Sequence, residues 1–146
     1  MTEPFRLHLR VRYAECDAQG IVFNARWGDY VDVAVTEYLR VLFGGMPDSR
    51  ELDWRLVKQT TEWHGPARFD DVLDVRVKPV RLGTTSFVVA TEFRRLADQA
   101  HLVDSETVYV TIDPKAGAKQ PIPERHRPAL ERGAPGIVID MAGVRR

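Results

Sequence analysis

Cysteine is nearly absent from this chain, with Cys16 the only one in 146 residues. A lone thiol excludes an internal disulfide framework and the small stapled secreted scaffolds that depend on one, so a reducing, cytoplasmic setting is the expectation. A surplus of either charge is missing too, since 21 basic residues balance 21 acidic ones. No overall field then favours nucleic acid or an anionic membrane, and neither is expected as a partner. Nothing nears the ~20 consecutive apolar residues of a membrane span, and Met1-Thr-Glu-Pro-Phe-Arg6 lacks the pattern of a signal peptide. There is no internal repeat and no low-complexity tract. The four histidines, His8, His64, His101 and His126, stand apart without ligand spacing, so neither a metal site nor a cofactor is expected.

What is present is one domain's worth of alternating and helical patterning. Phe5 to Arg12 places Phe5, Leu7, Leu9 and Val11 on one side and Arg6, His8, Arg10 and Arg12 on the other, the period of a half-buried strand. A helix follows over Ala25 to Phe43: Trp27, Val31, Ala34, Tyr38 and Leu42 recur at three- and four-residue steps, Asn24 stands at the N-cap position, and Gly44-Gly45 with Pro47 end it. Val33, Val35 and Leu39 widen its apolar stripe beyond what a surface helix needs, which predicts a sheet wrapped around it. Strands are predicted over Trp54–His64, Val72–Val80, Phe87–Arg94 and Val108–Ile112. Turns are expected at Arg81-Leu-Gly83, Ala97-Asp98-Gln99 and Asp113-Pro114. A short helix is expected over Glu124–Arg132. The fold class is therefore α+β, an antiparallel sheet of five or six strands around one long central helix. The domain is taken as 1–132. For the tail, 133–146, mobility, an extra edge strand at Gly136–Asp140 and packing on a neighbouring subunit all stay open.

Between the first strand and the helix lies Tyr13-Ala-Glu-Cys-Asp17-Ala-Gln-Gly20-Ile-Val-Phe23-Asn24-Ala-Arg-Trp27. A carboxylate here sits beside the first amides of a helix, whose unpaired N–H groups await an anion or a polarised carbonyl. Asp17 is as readily a plain loop cap as a catalytic base or nucleophile on this pattern alone. Gly20 admits a positive φ, and Asn24 is either an N-cap or a side-chain donor. Cys16 lacks a local base to form thiolate and reads as a small buried filler.

That stretch resembles the opening of hotdog-fold acyl-CoA thioesterases of the 4-hydroxybenzoyl-CoA thioesterase family. The likeness runs through the helix and four following strands to about Pro114. It implies a thioester hydrolase in which Asp17 is nucleophile or general base, with Gly20 and Asn24 at the catalytic turn. Tyr13, Phe23 and Trp27 become candidates for the substrate pocket, while Glu15 is read as a structural hydrogen-bonding group. A second segment, Trp63-His-Gly-Pro-Ala-Arg68-Phe69-Asp-Asp-Val-Leu73, matches the family region that faces a partner's catalytic loop, so Trp63 and Phe69 join the acyl-pocket candidates. Arg68 and Arg81 are candidates for the CoA phosphates. A homodimer or homotetramer with its site at the subunit interface is implied. Relatives that begin the helix with His-x-Asn-Tyr differ from Asn24-Ala-Arg-Trp27 here. The Arg81 hairpin lacks a basic cluster, which leaves an acyl-carrier-protein substrate as the alternative to acyl-CoA. A non-catalytic acyl-thioester-binding module is the further alternative.

Overall fold

A computed structural model describes residues 3–144. Six strands form one sheet: β1 (Phe5–Arg10), β2 (Asp53–Trp63), β3 (Val72–Leu82), β4 (Ser86–Arg95), β5 (His101–Ile112) and β6 (Val138–Asp140). Their spatial order is β2-β5-β4-β3-β1-β6. The long helix α1 (Trp27–Phe43) packs against one face, and a short α2 (Arg127–Arg132) lies near β3.

The alternation seen in the sequence decides which face is dry. Phe5, Leu7, Leu73, Val75, Val77, Phe87, Val89, Phe93 and Val103 turn towards α1 and are buried with Val31, Ala34, Tyr38 and Leu39 of the helix. Edge-to-face contacts tie the layers: Trp27 meets Phe93 at 5.1 Å, and Tyr38 meets Phe5 at 5.6 Å. Such pairs add about 0.5–1.5 kcal/mol beyond the area they bury. The predicted wrap of sheet around helix is therefore present.

Four expectations need correction. The sheet is mixed rather than wholly antiparallel, because β6 returns from α2 to lie parallel to β1, Arg6 opposite Val138. The segment Gly136–Asp140 thus contributes an edge strand, one of the arrangements the sequence left open. β5 begins at His101 rather than Val108, since its early part does not alternate cleanly: Leu102 and Val103 are buried in succession, and the next buried positions are the polar Ser105 and Thr107. Thr107 is satisfied there by donating its hydroxyl to the Val89 carbonyl at 3.3 Å. β3 continues through Arg81 to Leu82, so the tight turn falls at Gly83, whose N–H donates to the Ser86 carbonyl. Pro79 cannot donate to the ladder, and the register shifts between Pro79 and Arg81 as a bulge. Finally, Asn24 is no N-cap. It opens a 3-10 turn (Asn24–Arg26), Phe23 precedes it in extended conformation, and α1 starts at Trp27 without a side-chain cap. The helix stops where expected, with Gly44 at φ 67.

Candidate active site

The turn carrying Asp17 is anchored before it is shaped. After β1, Val11 and Asp70 exchange backbone contacts with Asp71 and Val11, and a 3-10 turn over Tyr13–Glu15 folds Glu15 inward. Its Oε1 accepts the Arg12 backbone N–H at 2.8 Å and the Tyr30 hydroxyl at 2.9 Å. Its Oε2 accepts Arg12 Nε at 2.9 Å and Nη2 at 2.7 Å. Burial by itself would raise this carboxyl, but the donors from Arg12 and Tyr30 outweigh it and hold Glu15 below its ordinary pKa. The same burial and the bond to Glu15 push the Tyr30 phenol up, so it stays a donor. Glu15 thus pins the loop to the start of α1, the structural role read from the sequence; that Tyr30 would be its partner was not read.

Beyond Glu15, Cys16 and Val22 form an antiparallel bridge, and Asp17 N–H donates to the Ile21 carbonyl at 2.8 Å. Gly20 N–H returns to the Asp17 carbonyl at 3.0 Å with φ +76, a conformation that costs an L side chain about 1–2 kcal/mol. Asp17 Oδ1 accepts the Gln19 N–H at 2.8 Å, closing an Asx turn. Oδ2 has no hydrogen-bond partner among the described residues. A second layer fixes the turn from outside: Ile21 bridges Arg68, and Val22 N–H donates to the Ala67 carbonyl. The two family-like segments, far apart in the chain, are therefore adjacent. Cys16 is only half-buried, and its thiol is pushed up by burial and then by the Glu15 and Asp17 carboxylates, away from nucleophilic thiolate.

Between the start of α1 and β2 opens a groove of about 520 Å³, lined by Asn24, Ala25, Trp27, Gly28, Gln59, Thr61 and Trp63 among others. The backbone N–H groups of Asn24 and Ala25 make no hydrogen bond within the described chain, while Arg26 and Trp27 donate to Phe23 and Asn24. These are the unsatisfied donors every helix start leaves, here beside a cavity. Trp27 is buried, and Trp63 stands 52% exposed. Gln59 and Thr61 were missed in the sequence, although they alternate with Trp63 at the period of two that marks one face of a strand.

The remaining sequence candidates divide. Tyr13 and Phe69 pair edge-to-face at 5.9 Å beside the Asp17 turn, and both are more than half exposed, as is Phe23. Arg68 is exposed next to them. Arg81 is not brought to the turn: the β3 residue nearest the loop is Val72, and Arg81 lies at the other end, roughly 30 Å away at 3.3 Å per residue. Asp17 itself does not line the groove within one chain. A larger cleft of about 740 Å³ on the opposite face of the sheet is walled by charged side chains such as Arg76, Lys78, Glu92 and Glu106 and holds none of the loop residues. The histidines also need correction. His64 and His101 are brought together with Asp104, so the distance between them in sequence did not exclude a ligand cluster.

A helix held in a curled sheet, with a carboxylate turn and free helix-start amides at one end, is the architecture of a hotdog thioester hydrolase. Residues 19–100 match the model of the Thioesterase superfamily, and the chain belongs to that family. It is 30% identical to the acyl-CoA thioester hydrolase YbgC of Escherichia coli O157:H7 over 115 residues, spanning 77% of this chain and 85% of the relative. A gentisyl-coenzyme A thioesterase structure superposes with a TM-score of 0.73 at 26% identity, covering 85% of this chain and 98% of the other. For fold alone, the 1,4-dihydroxy-2-naphthoyl-CoA thioesterase of Synechocystis gives a TM-score of 0.78 at 19% identity, over 86% and 94% of the two chains.

Proposed function

We propose that this protein hydrolyses acyl-CoA thioesters in the cytoplasm, with Asp17 attacking the thioester carbonyl or drawing a proton from the attacking water. The observation that carries the reading is the pairing of a carboxylate having one uncommitted oxygen with two unbonded amides, at Asn24 and Ala25, on the same loop-to-helix junction. Hydrolysis develops negative charge on the carbonyl oxygen, and preorganised N–H donors stabilise it without reorganising. Asp17 supplies the other half, a base or nucleophile at the acyl carbon. The thiol then leaves as CoA; where water attacked, the free acid is formed at once, and where Asp17 attacked, water then hydrolyses the acyl anhydride left on Asp17 and restores the carboxylate.

The acyl group would lie on apolar surface flanking the turn. Tyr13, Phe23 and Phe69 are too exposed to be explained as core in a lone chain. β2 supports an assembled site. It is an 11-residue outer strand that pairs on one side only, and Leu56 and Val57 on it are exposed. A long apolar edge left in water is an aggregation hazard, whereas pairing with β2 of a second copy satisfies its backbone. The groove lies along β2 and does not include Asp17 of the same chain, so such a dimer would close it with elements of the second copy. Arg68, exposed beside the Asp17 turn, suits a CoA phosphate, while Arg81 would serve only from another subunit.

The experiment is thiol release from a panel of aliphatic and aryl acyl-CoAs by wild type and Asp17→Ala, with far-UV circular dichroism confirming that both fold. Wild-type release at least about a hundredfold above the variant on some substrate is expected. Equal rates across the panel would sink the proposal.

A further inference from the structure

We propose that His64, His101 and Asp104 form a binding site for a borderline divalent transition-metal ion such as Zn2+, on the sheet face away from α1. His64 follows the last residue of β2, His101 opens β5, and Asp104 stands three residues further on, where the bulge opposite Phe93 and Arg94 brings it to the same side as His101. His64 Nε2 lies 3.1 Å from Asp104 Oδ2, and His101 Nε2 lies 2.8 Å from Oδ1. All three ligand atoms fall within 4.8 Å of one another. A zinc ion about 2.0–2.2 Å from nitrogen and oxygen ligands holds neighbouring ligand atoms about 2.9–3.4 Å apart, depending on the angle between them. Both nitrogen-to-oxygen distances are within a few tenths of that span, and exposed side chains can close the rest by small torsions. Two imidazoles and a carboxylate are a donor set that suits Zn2+, Ni2+ or Cu2+ and leaves positions for water.

Two further observations point the same way. The cluster is preorganised by backbone: both His64 N–H and Gly65 N–H donate to the Leu102 carbonyl, at 2.8 and 3.1 Å, so the residue after β2 cannot swing away from β5. The field is negative as well. Glu62 and Glu92 sit directly across from Asp104 on the neighbouring strands, and like charges opposed in this way repel. Glu92 is answered by Arg94, and a cation at Asp104 would relieve what remains. The competing arrangement is a metal-free triad in which each ring donates Nε2–H to one carboxylate oxygen. It accounts for the distances and predicts no metal binding. The proposal does not depend on the thioesterase reading.

The test is zinc binding by the full-length protein after dialysis against chelator, by isothermal titration calorimetry with ZnCl2 at pH 7.5, alongside His64→Ala, His101→Ala and Asp104→Asn. Wild type should take up about one equivalent per chain, with affinity weakened at least about tenfold in each variant and lost in the double histidine variant. Co2+ loading should give visible ligand-field absorption in wild type only. Unfolding curves without metal establish that each variant folds. No saturable uptake by wild type, or uptake unchanged in the double variant, which would place the ion elsewhere, overturns the assignment.

Discussion

Replacing Glu15 tests whether the Asp17 turn is held from beneath. In Glu15→Gln, the amide oxygen can still accept the Arg12 N–H and the Tyr30 hydroxyl. The amide nitrogen, however, meets the Arg12 guanidinium donor to donor, so the two bonds at 2.9 and 2.7 Å are lost. Hydrogen bonds to charged groups contribute about 1.5–3 kcal/mol. The Arg12 side chain is 80% exposed and returns to water readily, which discounts the loss to about 1–2 kcal/mol. Glu15→Ala also strands the buried Tyr30 hydroxyl, raising the loss to about 2–4 kcal/mol. At this chain length each kcal/mol lowers Tm by about 2–4 °C. The pH dependence has a definite sign. Glu15 is held below its ordinary pKa in the fold, so its stabilisation is complete above the unfolded carboxylate value of about 4.3 and drains away as pH falls through the lower folded value. Urea unfolding of wild type and Glu15→Gln at pH 7.5 and pH 3.5 reads this directly. The penalty should be full at the first pH and clearly smaller at the second. A penalty under about 0.5 kcal/mol at pH 7.5, or one that does not change with pH, refutes the reasoning.

Asp17→Asn keeps an oxygen to accept the Gln19 N–H, so stability should stay within about 0.5 kcal/mol of wild type while thiol release falls at least about a hundredfold; parallel melts and kinetics check both. Gly20→Ala meets no atom within 4 Å and should be destabilising only through its φ of +76, by about 1–2 kcal/mol in urea unfolding. Val57→Lys places a charge on the exposed β2 edge and should shift the molecular mass seen by light scattering from the assembly towards the single chain, with loss of thiol release.

Much of this protein is local and therefore readable. The three- and four-residue steps from Trp27 to Leu42 and the alternation of β1, β3 and β4 reflect which side of each element is dry, so they predicted a helix wrapped by a sheet. The Asp17-x-x-Gly20 turn was legible for the same reason, since an Asx turn and a positive φ involve only neighbours in sequence. Where burial is polar, as at Ser105 and Thr107, the pattern failed and β5 was read as half its length. What the tertiary structure alone decided is whatever depends on closure of the sheet. The bond from Glu15 to Tyr30, the freedom of the Asn24 and Ala25 amides, the parallel return of β6 and the meeting of His64 with His101 and Asp104 are of this kind. Composition and periodicity report each segment's preference for water or core. They carry no information on which distant segment stands across from it, because register and the packing of loop ends are settled only when the whole sheet has formed around α1.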